Sequence, residues 1–178
     1  MLRSARRSAI KMTHKFGILF FSLILFCLPL TAVATETEVF FSPNGGCLQA
    51  VVAQIDQSTK TIDVAIYHLT SREIAQALVR AKDRGVIIRI FMDTGEARTK
   101  YSKSRYLVQN GFDVKLHKGQ GLMHHKFAIV DHRVLITGSF NWTPTAEEKN
   151  QENLLILRDP ELIRKYGERF EGMWRGGG

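Results

Sequence analysis

TIDVAIYHLTSREIAQALVRAKDRGVIIRIFMD, residues 61–93, is the stretch that decides the fold. It opens on TIDVAIYHL and closes on VIIRIFMD, two near-continuous apolar runs of the kind found in strands buried on both faces. Between them SREIAQALVRAKDRG reads as a helix, with Thr70 as its cap, Glu73 completing a capping box and Gly85 ending it. Strand, helix, strand in that order implies a right-handed crossover between parallel neighbours. Upstream, EVFFSP is a strand stopped by Pro43. Asn44 and two glycines then turn the chain into the helix CLQAVVAQIDQS, which carries Leu48, Val51, Val52 and Ile55 on one face. Downstream come a helix, SKSRYLVQNG, ended by Gly111, and a strand, FDVKLHK. KFAIVD and RVLITGS form a hairpin around Asp131-His132-Arg133, and ENLLILR is a further strand. Asp159-Pro160 opens a last helix, ELIRKYGERFEGMW. The expected architecture is one α/β domain, a mixed, largely parallel sheet sandwiched by helices.

The first 34 residues belong to a different class. Arg3, Arg6, Arg7, Lys11 and Lys15 come with no acid; an apolar run, FGILFFSLILFCLPL, follows; Ala32 and Ala34 then stand in a small-x-small pattern. That order is a secretory signal peptide, with cleavage expected after Ala34 and Met12 available as an alternative start. An uncleaved anchor is the competing reading, although the run is shorter than the ~20 apolar residues of a spanning helix. The expected layout is a signal over residues 1–34 and a domain over 35–178, periplasmic or secreted, with no stable membrane association after cleavage. Removing the signal leaves 20 basic against 17 acidic residues, so a formal charge of +8 falls to +3. Overall charge therefore says little about partners. Its distribution says more: Arg98, Lys100, Lys103, Arg105, Lys115, Lys118 and Lys126 share residues 97–126 with one acid, Asp113. Such a run is either a solvated helix face or a phosphate-attracting surface. Cys47 is the single cysteine after residue 34, with no internal disulfide partner, and reads as a buried small hydrophobe.

Chemistry concentrates in GLMHHKFAIVDHRVLITGSFNWT, residues 121–143. Sheet packing accounts for Phe127, Ala128, Ile129 and Val130 but not for His124, Lys126 or Asp131. Alternation along the strand puts His124 and Lys126 on one face and His125 and Asp131 on the other. In a hairpin the start of the first strand lies beside the end of the second, so His124, Lys126, Ser139 and Asn141 can converge. One imidazole, one ammonium and two neutral hydrogen-bonding groups suit a phosphoryl group better than a metal ion, since lysine binds phosphate oxygen well. A zinc site of His117, His124 and His125 is the weaker alternative, because Lys126 shares the pocket. Trp142 reads equally as a base-stacking platform or a core residue.

These residues also carry a resemblance. HHKFAIVD fits H-x-K-x4-D at His124, Lys126 and Asp131; GSFNW fits the glycine-serine-x-asparagine element that follows it; NQENLLIL places Glu152 at the matching acidic position. The chain is similar over residues 38–174 to the phospholipase D superfamily, most of all to its small single-motif bacterial endonucleases. The resemblance implies a phosphodiesterase that needs no metal or cofactor, with His124, Lys126, Asp131 and Glu152 catalytic. His124 would attack phosphorus to give a phosphohistidine, and a second, protonated histidine would serve the leaving oxygen. Lys126, Ser139 and Asn141 would hold the phosphate, and Glu152 would orient a histidine; Asp131, on the opposite strand face, fits a structural role better. One motif per chain implies a homodimer with a composite site. The expected substrate is DNA, with RNA in second place. The alternatives are a phospholipase D or cardiolipin hydrolase of the same chemistry, and a noncatalytic nucleic-acid-binding module.

Overall fold

A computed structural model of the chain describes residues 36–176, which fall in one compact unit, Ala34–Gly178. The expected signal segment, residues 1–34, lies outside the described residues.

The elements run β1 (Thr37–Ser42), α1 (Cys47–Gln57), β2 (Thr61–Ile66), α2 (Arg72–Asp83), β3 (Ile87–Met92), α3 (Thr94–Ala97), α4 (Ser104–Gln109), β4 (Asp113–Leu116), β5 (Lys126–Val130), β6 (Val134–Gly138), α5 (Pro144–Glu148), β7 (Glu152–Leu157) and α6 (Pro160–Gly176). All seven strands join one sheet in the order β1-β7-β6-β5-β2-β3-β4.

The mixed α/β sheet between helices is as read from the sequence, but its balance is different. Only β2–β3 and β3–β4 pair in parallel, whereas β1–β7, β7–β6, β6–β5 and β5–β2 are antiparallel. The expectation of a largely parallel sheet assumed that β1, α1 and β2 form a crossover unit with neighbouring strands. Instead β1 crosses to the far edge and pairs with β7, Ser42 opposite Glu152. The parallel crossovers are those of β2-α2-β3 and of the segment from β3 to β4.

Strand alternation divides the core in two. Val64, Ile66, Ala128, Val130 and Ile136 face α1 and α2, where Val51, Ile55, Ile74 and Leu78 are wholly buried. Ala65, Phe127, Ile129 and Leu135 face α6 and meet Ile163, Phe170 and Met173. Cys47 is fully buried at the start of α1. Desolvation, then the charge of Glu147, pushes its thiol up to about 11, which suits an inert core residue. Arg89 crosses the α6 layer as a cation: it forks onto Asp63 at 2.7 and 2.8 Å, reaches Glu171 at 2.6 Å and lies over the rings of Phe170 and Trp174.

Two details of the elements differ from the sequence reading. Ser71, not Thr70, caps α2; its hydroxyl accepts from the Ile74 N–H while donating to Glu73, so the acid supports the cap without closing a capping box. The short helices α3 and α5 were not anticipated. Asp93 caps the first and Thr143 the second, which starts on Pro144.

Candidate functional site

The hairpin reading makes a geometrical demand: the start of β5 and the end of β6 must meet. The ladder meets it, with Phe127 opposite Thr137 and Val130 opposite Val134 around the turn 131–133. The two flanking pairings bring in further residues. β2 runs antiparallel to β5 with Ile66 opposite Lys126, which places Tyr67 beside His125, its N–H donating to the His125 carbonyl at 2.9 Å. β7 sets Leu154 opposite Gly138, and β1 sets Ser42 opposite Glu152. The ends of five strands thus gather at one end of the sheet.

Lys126 is the buried cation of this group, 9% exposed. Its ammonium donates to the His124 carbonyl at 2.9 Å and lies 4.9 Å from the centre of the Tyr67 ring. Burial lowers its pKa from the ordinary lysine value, against a smaller opposing pull from the negative charge of Glu152. His124 is exposed, its ring 4.4 Å from that of Tyr67 and tilted by 59°. Imidazole and ammonium therefore share one aromatic wall.

Across from them, Ser139 donates to a Glu152 carboxylate oxygen at 2.5 Å and accepts from the Asn153 N–H at 3.1 Å; its own N–H donates to the Asn153 side-chain carbonyl at 3.0 Å. Asn150 donates to the other Glu152 oxygen at 3.1 Å. The Glu152 N–H reaches the Ser42 hydroxyl at 3.2 Å, and that hydroxyl donates to the Asn150 carbonyl at 3.0 Å. The Ser139 proton is thus committed to Glu152, and among the described residues no histidine bonds to Glu152. The buried side-chain oxygen of Asn141 has no hydrogen-bond partner among the described residues.

The remaining sequence candidates fall elsewhere. The Asp131 carboxylate, at the far end of β5, accepts from the N–H groups of Thr59, Lys60 and Thr61 and from the Thr59 hydroxyl, at 2.7–2.9 Å. Five residues of strand separate it from Lys126, roughly 16 Å, so Asp131 is not part of the cluster: it pins the α1–β2 connection. His125 turns toward α6, accepting from Arg169 at 3.4 Å. Burial first, then the charges of Arg169, Lys126 and His124, lowers its pKa and favours the neutral ring. His117 lies edge-on to Phe91, both ring nitrogens without a partner among the described residues. His117, His124 and His125 do not form a metal-holding group, nor do any other His, Cys, Asp and Glu side chains among the described residues. His132 is an exposed turn residue. Trp142 is 1% exposed and closes the core rather than offering a face to a base.

Two residues escaped the sequence reading. Tyr67 passed as one more apolar residue of a buried strand, and only the β2–β5 pairing reveals it as the wall of the site. His68 follows it, with an imidazole nitrogen 3.4 Å from Glu96. Neither has a local signal, because both depend on which strand becomes the neighbour of β5.

The family model for the PLD-like domain of cardiolipin synthase matches residues 51–174. The chain is similar to phospholipase D of Rickettsia conorii, 37% identical over 132 residues that cover 74% of this chain and 66% of that protein. It is similar to the mitochondrial cardiolipin hydrolase of Chlamydomonas reinhardtii, 37% identical over 134 residues, 75% of this chain and 60% of that protein. The chain thus spans just under two thirds of the length of these relatives. Among solved structures it is similar to Nuc from Salmonella typhimurium, a phospholipase D family member, with a TM-score of 0.75 and 31% identity over 79% of this chain and 95% of that one.

Proposed function

Because the chain belongs to the phospholipase D superfamily, we propose that it is an exported phosphodiesterase, a metal-independent endonuclease acting on DNA and secondarily on RNA. The observation that carries this reading is the pairing of an exposed imidazole, His124, with a buried ammonium, Lys126, against one ring, Tyr67. A buried cation with a single carbonyl partner is costly to hold unless an anion completes its environment, and a phosphate oxygen is such an anion.

In the proposed reaction a neutral His124 nitrogen attacks phosphorus. A P–N bond forms as the bond to the leaving oxygen breaks, and a protonated second imidazole delivers its proton to that oxygen. The same imidazole, now neutral, takes a proton from water; the water oxygen attacks phosphorus, the P–N bond breaks and His124 is released. Lys126 and Asn141 stabilise the charge on the nonbridging oxygens. Ser139 donates to Glu152 and, with Asn150, holds that carboxylate in place at the edge of the site. The second imidazole is His124 of a second copy, brought in by a twofold axis through the site, and Glu152 then orients a histidine from across that axis. Export rests on the signal-like residues 1–34.

The test is to rapidly quench the purified domain with plasmid DNA in excess chelator and analyse its peptides for phosphorylated His124. An acid-labile adduct on that residue supports the mechanism; nicking that needs added metal, with no adduct, sinks it. A cardiolipin hydrolase of the same chemistry is the second reading, favoured by the similarity to the mitochondrial cardiolipin hydrolase. Faster release of phosphatidic acid from cardiolipin than nicking of DNA would select it.

A further inference from the structure

The start of α2, the α3–α4 connection and the start of α5 border a cleft of about 1170 Å³. It joins the site, for Asn141 and His68 line it, and His68 directly follows Tyr67. Its size exceeds the upper end of ordinary small-ligand pockets, roughly 1,000 Å³.

The chemistry of its wall is one-sided. Arg72, Lys100, Lys103 and Arg105 line it and no aspartate or glutamate does. None of these four cations takes part in an ion pair among the described residues, whereas Arg80, Arg89, Arg158 and Arg164 all do. Glu73 lowers its own pKa chiefly through backbone and Ser71 hydrogen bonds; it feels Arg72 and Lys103 but does not line the cleft. Four cations without an ion-pair partner among the described residues, in one concavity, focus a positive potential that an extended anion would satisfy. The rest of the wall is mainly hydroxyl, amide and tyrosine side chains, with Ala75 and Pro144 its only aliphatic members. Tyr101 stands 71% exposed on this wall with the Lys100 ammonium 5.6 Å from its ring centre. A tyrosine with one free face beside a line of cations is the arrangement used to stack a base while the backbone is gripped.

We infer that this cleft is the track for the strand flanking the scissile phosphate, and that it takes single-stranded nucleic acid. Arg72, Lys103 and Arg105 hold the flanking phosphates and Tyr101 stacks a base. Paired bases in a duplex are not free to stack on Tyr101 unless they are unstacked first. The inference rests on the phosphodiesterase reading of the neighbouring site and adds its substrate class.

The test separates the two. Binding of a labelled single-stranded 12-mer is measured by anisotropy on a His124→Ala background, and turnover of bis(4-nitrophenyl) phosphate, which has one phosphate and no flanking nucleotides, on the His124 protein. Tyr101→Ala is expected to weaken 12-mer binding about tenfold. Lys103→Ala with Arg105→Ala should weaken it further and reduce the slope of log K against log salt by about 0.7 per cation removed. Neither variant should change the small-substrate rate or the melting temperature. Unchanged 12-mer binding overturns the proposal, and so does an equal loss on the small substrate. Equal sensitivity of duplex binding removes the single-strand assignment, and loss confined to cardiolipin vesicles reassigns the cleft to lipid headgroups. If the phosphodiesterase reading is what fails, the wild-type chain hydrolyses neither substrate, yet the binding arm still reports on the cleft.

Discussion

Lys126 sets function against stability. Its folded pKa lies below the ordinary lysine value because burial disfavours the charge. The unfolded chain therefore binds more protons in the window between the folded value and 10.5, and stability gains from this residue as pH rises through that window. Below it, the charged form is held at a cost. Lys126→Met should lower phosphodiester turnover by about 10²–10³-fold, the effect of removing one donor to a developing oxyanion, while the melting temperature stays level or rises. A clear drop in melting temperature would make Lys126 a structural residue instead. Asp131 should behave in the opposite way. Burial opposes its charged form, but hydrogen bonds from Thr61, Thr59 and Lys60 outweigh it and hold the pKa below the ordinary aspartate value. Its contribution is full above that value of 3.8 and is lost as pH falls through the folded pKa. Asp131→Ala should cost about 2–3 kcal/mol near neutrality, seen as a lower denaturant midpoint, with the difference from wild type narrowing in acid. Turnover by the folded fraction should stay within a few-fold, since the carboxylate lies at the other end of β5.

The elements that hold the site depend on a few close approaches. At Gly138, where β6 passes β7, an added Cβ would fall 2.2 Å from the Asn153 carbonyl oxygen and 2.8 Å from its side-chain oxygen. Gly138→Ala should therefore push β6 from β7, break the Ser139–Asn153 bonds and cost about 3 kcal/mol; amide exchange should speed up in β6 and β7 while β2 and β3 keep their protection. A uniform loss across the sheet would contradict this local account. The same elements show how much of the site was readable from the chain. Period-two alternation places His124 with Lys126 and turns His125 away, and the hairpin brings Ser139 within reach, because both depend on local sequence alone. Glu152 came through the motif. Tyr67 and the cleft at Arg72 and Lys103 did not, because their position depends on β5 inserting next to β2, a choice made by tertiary packing. The short helices α3 and α5 were missed for a related reason: each has a capping residue but too few positions to show a period.

At the scale of the molecule, the proposed twofold site makes a quantitative demand. When wild-type chains are mixed with His124→Ala chains under exchanging conditions, activity should fall as the square of the wild-type fraction. A linear fall, or full activity in a dilute monomer, would send the search for the acid back into one chain, where His68, its ring 6.5 Å from that of Tyr67, is the first to try. The charge distribution needed the same whole-molecule view. The basic run between residues 97 and 126 splits in space: Lys115 lies over Trp174, Lys126 is buried in the site, and Lys100, Lys103 and Arg105 face the cleft. The sequence showed the excess of cations but not its partition. The order of the sheet was the least readable feature of all, since β1 has no local mark that sends it to β7. That long-range pairing has a consequence for biosynthesis. Chains emerge from the ribosome with the first strand leading, and domains tend to form as they emerge. Here the leading strand, Thr37–Ser42, must wait for Glu152–Leu157 before it has a neighbour, and Ser42 and Glu152 are both parts of the same pocket. A nascent polypeptide still short of residue 152 therefore lacks the pocket, whatever it has already folded, and the proposed nuclease gains its site only once Glu152–Leu157 has been made.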